Sequence, residues 1–261
     1  ARALPTDGKK GALVARLLAP LAGSASAGIA ISRSLAADAA RVLPELPLHV
    51  VYNAVDTAHF RPQGPRAELP GSEGVVALGI VATYGRWKGQ DVFLEALARL
   101  PAELPAWRGY VIGGPIYRTA GSQWSRDELS ERARRLGLSG AVEFLPFQAD
   151  PAPAYRALDV VVHASTRPEP FGRTIVEAQA CGRAVIAVRT GGSGELFRSG
   201  REALGIAPDD AGALAEALAA LIADPQRRAA LGAAGRAAAL ERFSRPRLGQ
   251  DLARIYRATL A

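Results

Sequence analysis

"VVALGIVATYGRWKGQDVFLEALARL" (75–100) contains the change of period on which the fold turns. "VVALGIVA" (75–82) is a continuous apolar run, short enough for a strand buried on both faces. After a polar loop with glycines, "QDVFLEALARL" (90–100) places Val92, Phe93, Ala96, Leu97 and Leu100 on one helical face. A buried strand feeding an amphipathic helix is the unit from which parallel sheets are built.

The unit recurs. "GYVIGG" (109–114) precedes the helical "DELSERARRLGL" (127–138), and "AVEFLPF" (141–147) precedes a short helix around "PAYRAL" (153–158). "DVVVHAS" (159–165) leads to a helix ending near Gly182, and "AVIAV" (184–188) leads through "RTGGSG" to another short helix. "ALGIA" (203–207) precedes Ala-rich helices over 210–242, with "PDD" (208–210) as a helix start. Six such strands predict an α/β fold, a Rossmann-like doubly wound parallel sheet over 61–245. Ligands of such sheets bind at the carboxyl ends of the strands. That rule selects the loops 83–89, 113–126, 146–151, 166–173 and 189–194.

Residues 1–60 stand outside this repeat, with a helix, a strand "AGIAIS" (27–32), a helix from Ser34 and "HVVYNAVDTAHFRP" (49–62). "LLAPLAGSASAGIAI" (17–31) is too short for a membrane span and is broken by Pro20, Gly23 and Gly28, so a helix and a short buried strand are expected. Pro and Gly make 61–74 a linker. Residues 1–60 read as the remnant of a second domain whose beginning lies outside the chain, and 246–261 as a C-terminal helix returning toward it. The start at Ala1 and the absence of Met point the same way, to a trimmed or altered sequence.

The net charge of +7 suits anionic partners without choosing among them. Nucleic acid is disfavoured, because no recognition motif or aromatic-basic platform occurs. Lysine occurs only at Lys9, Lys10 and Lys88, which singles out Lys88 inside a strand-to-helix loop. Cys181 stands alone, so no intrachain disulfide is expected and a reducing compartment is favoured. A buried thiol is its expected role. No metal-ligating cluster is evident.

"TRPEPFGRTIVEAQACG" (166–182) carries the chemistry. Pro168 and Pro170 keep the chain extended, and Gly172 allows a turn and close approach of a ligand. The helix starting near Arg173 offers free N–H groups to an anion. Glu169 sits at the rim of that cradle, and Glu177 leans back toward it from the second turn. Two carboxylates flanking an anion site suit hydroxyls at both ends of a phosphate group, as in a nucleotide sugar. The spacing alone is also met by an ordinary acidic helix start.

"PEPFGRTIVEAQACG" (168–182) closely resembles the E-x7-E segment of the family-4 retaining glycosyltransferases, which have the GT-B fold. "ATYGRWKGQDVFLEALARL" (82–100), "VEFLPFQAD…YRALDVVVHAS" (142–165) and "AVIAVRTGGSGELF" (184–197) resemble further segments of that family in the same order. "AISRSLAADA" (30–39) and "VVYNAVDTAHFRP" (50–62) are similar to the end of its N-terminal domain and its interdomain linker. The resemblance implies a C-terminal, donor-binding domain.

It further implies that Glu169 holds the donor sugar and Glu177 the ribose. Backbone N–H groups of Phe171, Gly172, Arg173 and Thr174 would bind sugar and phosphate, and the backbone at Phe147 and Gln148 would contact the base. Lys88 would neutralise the departing diphosphate. Where the family has an arginine this chain has Thr83, so Arg86 is the candidate for the second cation. The family's N-terminal histidine is not matched by His49, His59 or His163; structural roles are expected for His59 and His163. The loop 115–127, with Tyr117, Arg118, Ser122 and Trp124, is either a ligand-contacting or a surface elaboration.

The resemblance implies transfer from a nucleoside-diphosphate sugar to a glycan or lipid-linked acceptor, with no cofactor and no metal. It also implies a cytoplasmic location, peripheral at the membrane. The alternative is a non-catalytic nucleotide-sugar-binding module, or half of a split enzyme with its N-terminal domain on a separate chain.

Overall fold

The computed structural model describes residues 22–116 and 121–260, together with positions 13, 16, 18 and 20. Tyr117, Arg118, Lys9 and Lys10 lie outside the described residues, as do parts of 17–31. A small parallel unit comes first, with β1 (Gly28–Ala30), α1 (Arg33–Val42) and β2 (Leu48–Val50). A separate six-stranded sheet follows, made of β3 (Val76–Val81), β4 (Trp107–Ile112), β5 (Val142–Leu145), β6 (Val160–His163), β7 (Ala184–Val188) and β8 (Leu204–Ile206).

All five pairings in this sheet are parallel, in the order β5-β4-β3-β6-β7-β8. Chain direction across the sheet therefore reverses between β3 and β6, as in dinucleotide-binding folds, and leaves a crevice at their carboxyl ends. Side chains alternate between two cores. Leu78 and Ile80 face one, with α2 (Gln90–Leu97), α3 (Arg126–Arg135) and α6 (Ala211–Ala223). Ala77 and Val81 face the other, with α4 (Ala152–Ala157), α5 (Arg173–Ala180) and the end of α7 (Pro225–Arg242). This two-sided burial explains why the strands read as continuous apolar runs.

Helix boundaries follow their caps. Ser125 forms a reciprocal capping box with Glu128 and starts α3 one residue before the expected position. Asp210 caps α6, so "PDD" is a helix start. Asp224 caps α7 with Pro225 behind it, which divides the Ala-rich stretch into two helices.

The segment 61–74 is irregular but firmly attached. The buried Arg156 donates to the carbonyls of His59, Arg61 and Pro65 at 2.7, 2.9 and 2.9 Å, and Phe60 and Leu69 enter the core. The small N-terminal unit is joined to the larger one through Glu195, in the 3-10 turn Gly192–Glu195. Its two oxygens accept the N–H groups of Arg33 and Ser34, each at 2.8 Å, and Oε2 also accepts the Tyr52 hydroxyl at 2.8 Å. A carboxylate on the free N–H groups of α1 satisfies them and meets the positive end of the helix. At the other terminus, α8 (Arg245–Leu260) uses Arg247 to donate to the carbonyls of Tyr52 and Asn53. Among the described residues no helix is long and apolar enough to cross a membrane.

Glu195→Ala should lower unfolding stability by about 1–2 kcal/mol in urea denaturation, the usual loss for a helix cap. Cys181 is fully buried, and burial pushes its thiol up to about 11. It should therefore resist alkylation at mildly alkaline pH and react when denaturant unfolds the chain.

Candidate functional site

Two loops rise from the crevice between β3 and β6, and tight backbone contacts fix one against the other. Gly89 ends the 3-10 turn Arg86–Lys88 at φ 79°, and a Cβ there would lie 2.0 Å from the Ala164 carbonyl oxygen. Only glycine permits both the left-handed turn and this approach. The Thr166 N–H donates to the Trp87 carbonyl at 2.8 Å. Lys88 is thereby carried to the loop that follows β6.

That loop is held from its other side by "TGG" (190–192). The Gly192 N–H donates to the Glu169 carbonyl at 2.8 Å, and a Cβ on Gly192 would lie 2.1 Å from the Pro170 carbonyl oxygen. Glu169 therefore has a fixed backbone. Its Oε1 accepts Lys88 Nζ at 2.5 Å and the Ser165 hydroxyl. Its Oε2 lies 3.3 Å from His163 Nε2, within ion-pair range but out of line for a good hydrogen bond. The Glu169 side chain is 12% exposed. Burial pushes its carboxyl up, but His163 and Lys88 outweigh burial and hold it well below the usual carboxylate range.

Glu177 is kept differently. Its side chain is 7% exposed. Oε2 accepts the Tyr155 hydroxyl at 3.0 Å, and Oε1 accepts Arg173 Nη2 at 2.8 Å. Burial, and then the charge of Glu177, raise Tyr155 well above its ordinary value, so this phenol remains a donor. The Arg173 guanidinium is largely exposed, and water screens its ion pair.

Between the two carboxylates stands the start of α5. Gly172, at φ 116°, occupies the capping position without a side-chain cap. The N–H groups of Phe171, Gly172, Arg173 and Thr174 find no acceptor among the described residues. The Phe171 side chain is buried against Tyr52 and Phe243, which anchors the turn. The result is a neutral but strongly donating cradle with an acid on each side.

A cleft of about 470 Å³ opens here, lined by Lys88, Thr83, Phe147, Gln148, Arg173, Thr174 and Glu177 among others. Phe147 is 52% exposed at its mouth. Gly113 forms part of the floor, where a Cβ would lie 1.8 Å from the Ala82 carbonyl oxygen. Gln90, fully buried, donates to the Thr83 carbonyl and fixes that loop, while the Thr83 hydroxyl is buried without a partner. A larger cleft of about 720 Å³ lies at the opposite, amino edge of β6 and β7, lined by Arg183, Arg228 and Arg236. Its size does not make it the better candidate, because it lies away from the carboxyl ends of the strands, where Glu169, Glu177 and the uncapped start of α5 stand.

Arg86 is not brought to this cleft. It donates to Glu128 at 2.9 Å and stacks 3.8 Å over the Trp124 ring, so its charge is already partnered. Trp124 thus belongs to the face packed on α3. His59 lies on the surface, with Nε2 2.7 Å from Asp150. His163 is placed beside Glu169, a position its strand-end location did not reveal. Sequence reading also missed Ser165, Tyr155 and Glu195. The repeated strand-loop-helix pattern could have pointed to Ser165, since it lies in a carboxyl-end loop. Among the described residues, no group of three or more His, Cys, Asp and Glu stands close enough to hold a metal ion.

Known proteins share this architecture. Residues 66–238 match the sequence model of the family described as glycosyl transferases group 1. The chain is 32% identical over 223 residues to the lipopolysaccharide core biosynthesis mannosyltransferase LpsB of Rhizobium meliloti, covering 83% of this chain and 62% of that protein. It is 40% identical over 195 residues to a D-inositol 3-phosphate glycosyltransferase of Rhodococcus opacus, covering 71% of this chain and 42% of the relative. The chain thus spans less than two thirds of either curated relative. Among solved structures, Anabaena Alr3699/HepE in complex with UDP superposes with a TM-score of 0.82 at 30% identity, over 94% of this chain and 67% of that one. The C-terminal domain of the Francisella tularensis group 1 protein LpcC superposes with a TM-score of 0.63 at 28% identity, over 73% of this chain and 99% of that domain.

The depressed Glu169 pKa has a sign that can be tested. Its stabilising effect is present in full above the unfolded-chain value of about 4.3 and is lost only as pH falls below that, toward the lower native value. The Glu169 carboxyl carbon should keep its ionised chemical shift at about pH 4 and somewhat below, where ordinary glutamates are already mostly protonated.

Proposed function

The chain belongs to the group 1 glycosyl transferases, and from that premise we propose that it binds a nucleoside-diphosphate sugar and serves its transfer to an acceptor, with retention at the anomeric carbon as in family 4. The observation that carries this reading is the uncapped start of α5 between Glu169 and Glu177. A diphosphate placed on the four free N–H groups leaves one carboxylate within reach of the ribose and the other within reach of the transferred sugar.

In this pose Glu177, held by Tyr155 and Arg173, accepts the ribose hydroxyls through charge-assisted bonds. Phe147 and Gln148 flank the base at the cleft mouth. The sugar lies against Glu169. Lys88 and the N–H groups of Gly172, Arg173 and Thr174 meet the charge that grows on the leaving diphosphate, so that stabilisation is strongest as the glycosidic bond breaks. The acceptor oxygen attacks from the face the diphosphate leaves, and the departing phosphate takes the acceptor's proton. No protein nucleophile takes part. The sequence resemblance supports retention, and the UDP complex of Alr3699/HepE supports a nucleotide donor. A glycan or lipid-linked acceptor at a membrane surface is our reading from the likeness to the lipopolysaccharide mannosyltransferase LpsB, whereas the inositol 3-phosphate relative points to a small phosphorylated acceptor.

A thermal-shift screen of UDP, GDP and ADP and their sugar conjugates tests the reading. At least one should raise Tm, because a ligand that binds only the native state stabilises it. Glu177→Ala should weaken that nucleotide by about tenfold to a hundredfold, on the order of 1.5–3 kcal/mol for charge-assisted bonds. Lys88→Ala should lower transfer far more than nucleoside affinity. Unchanged nucleotide affinity in Glu177→Ala contradicts the assignment.

A further inference from the structure

His163 ends β6 with its side chain 6% exposed. Among the described residues, neither ring nitrogen has an aligned hydrogen-bond partner. Buried polar atoms are almost always satisfied, so an imidazole left this way needs a reason. Its Nε2 lies 3.3 Å from Glu169 Oε2, the carboxylate oxygen that Lys88 and Ser165 do not use.

The charged groups around this imidazole are few. Glu169 faces it from the loop after β6, and Lys88, from the loop after β3, holds the other oxygen of that carboxylate. From α5, Glu177 accepts from both Arg173 and Tyr155. The neighbouring strand β7 presents Ala187 in register, Val81 closes β3, and Arg189 packs over Gly205. Glu169 is therefore balanced by Lys88 alone as long as the imidazole is neutral.

A diphosphate changes that balance. It attracts Lys88, which lines the cleft, and competes for the ammonium that Glu169 Oε1 now holds. A carboxylate that is 12% exposed is costly without a counter-charge. The imidazole beside it can supply one by taking a proton from solvent.

We propose that His163 is a positioning residue for Glu169: it stands 3.3 Å from Oε2 and, when a nucleotide sugar draws Lys88 to its diphosphate, takes up a proton and holds the carboxylate as its counter-charge. The inference rests on the donor reading given above. It makes donor binding a proton-coupled event, and it ties the orientation of the sugar-binding carboxylate to the arrival of phosphate.

The experiment is titration calorimetry with UDP-glucose, or GDP-mannose if the thermal-shift screen selects it, in buffers of different ionisation enthalpy near neutral pH. Neither donor has a phosphate group that titrates there, so any proton taken up belongs to the protein. Wild type should take up a sizeable fraction of one proton per donor bound. His163→Gln should bind with no uptake, and its preference for the nucleotide sugar over the free nucleoside diphosphate should fall about tenfold. Equal uptake in both proteins, or none in wild type, overturns the proposal while leaving the donor site intact. Failure of every nucleotide to bind removes the donor reading and this inference with it. If His163→Gln does not fold, the wild-type imidazole signals decide, since the chain has three histidines. A His163 ring signal that moves to its charged position on donor addition supports the coupling, and one that stays in place overturns it.

Discussion

Parallel pairing is the constraint from which the site follows. With β3 to β8 all running in one direction, every strand-to-helix loop emerges on the same edge of the sheet. The order places β3 beside β6, so the loop with Lys88 and the loop with Glu169 come from adjacent strands whose following helices cover opposite faces. A crevice must open between them. Gly89 against Ala164 and Gly192 against Pro170 then set the spacing, at distances no side chain tolerates. An alanine at either position would have to move the lysine away from the carboxylate.

Within that crevice two glutamates of the same type are made into different instruments by what surrounds them. Glu169 is enclosed by a lysine, a hydroxyl and an imidazole, and its charge is held strongly. Glu177 leans on a phenol that stays protonated and on an arginine that is mostly in water. The first is a rigid acceptor at the depth of the site. The second can exchange its arginine for ligand hydroxyls at modest cost, because an exposed guanidinium is readily resolvated. The free N–H groups between them carry no competing side-chain cap, since the capping residue is Gly172.

Much of this was legible in the chain. Apolar runs bounded by glycine gave the six strands, because strands buried on both faces leave no alternation to confuse the reading. Charge patterning and the Pro-Glu-Pro-Phe-Gly segment located Glu169 and Glu177. Less visible were contacts made between residues far apart in sequence. Glu195 caps a helix 161 residues away, and nothing in "GGSGELF" signals it. Tyr155 reaches Glu177 across 22 residues, through the packing of α4 on α5. Arg86 is the instructive case. With Thr83 where the family resemblance implies an arginine, the nearby Arg86 was the candidate for the second cation, but its side chain goes to Trp124 and Glu128. His163 could not be separated by sequence from an ordinary core histidine, because burial beside a carboxylate depends on the turn that follows β6.

The most direct test of the account is a crystal structure of the chain with a bound nucleoside diphosphate. Phosphate oxygens should lie on the N–H groups of Gly172, Arg173 and Thr174, the ribose on Glu177, and Lys88 Nζ should have moved from Glu169 toward the diphosphate. A nucleotide seated at the amino edge of the sheet among Arg183, Arg228 and Arg236, or one that leaves the Lys88–Glu169 pair closed and the start of α5 vacant, would contradict it.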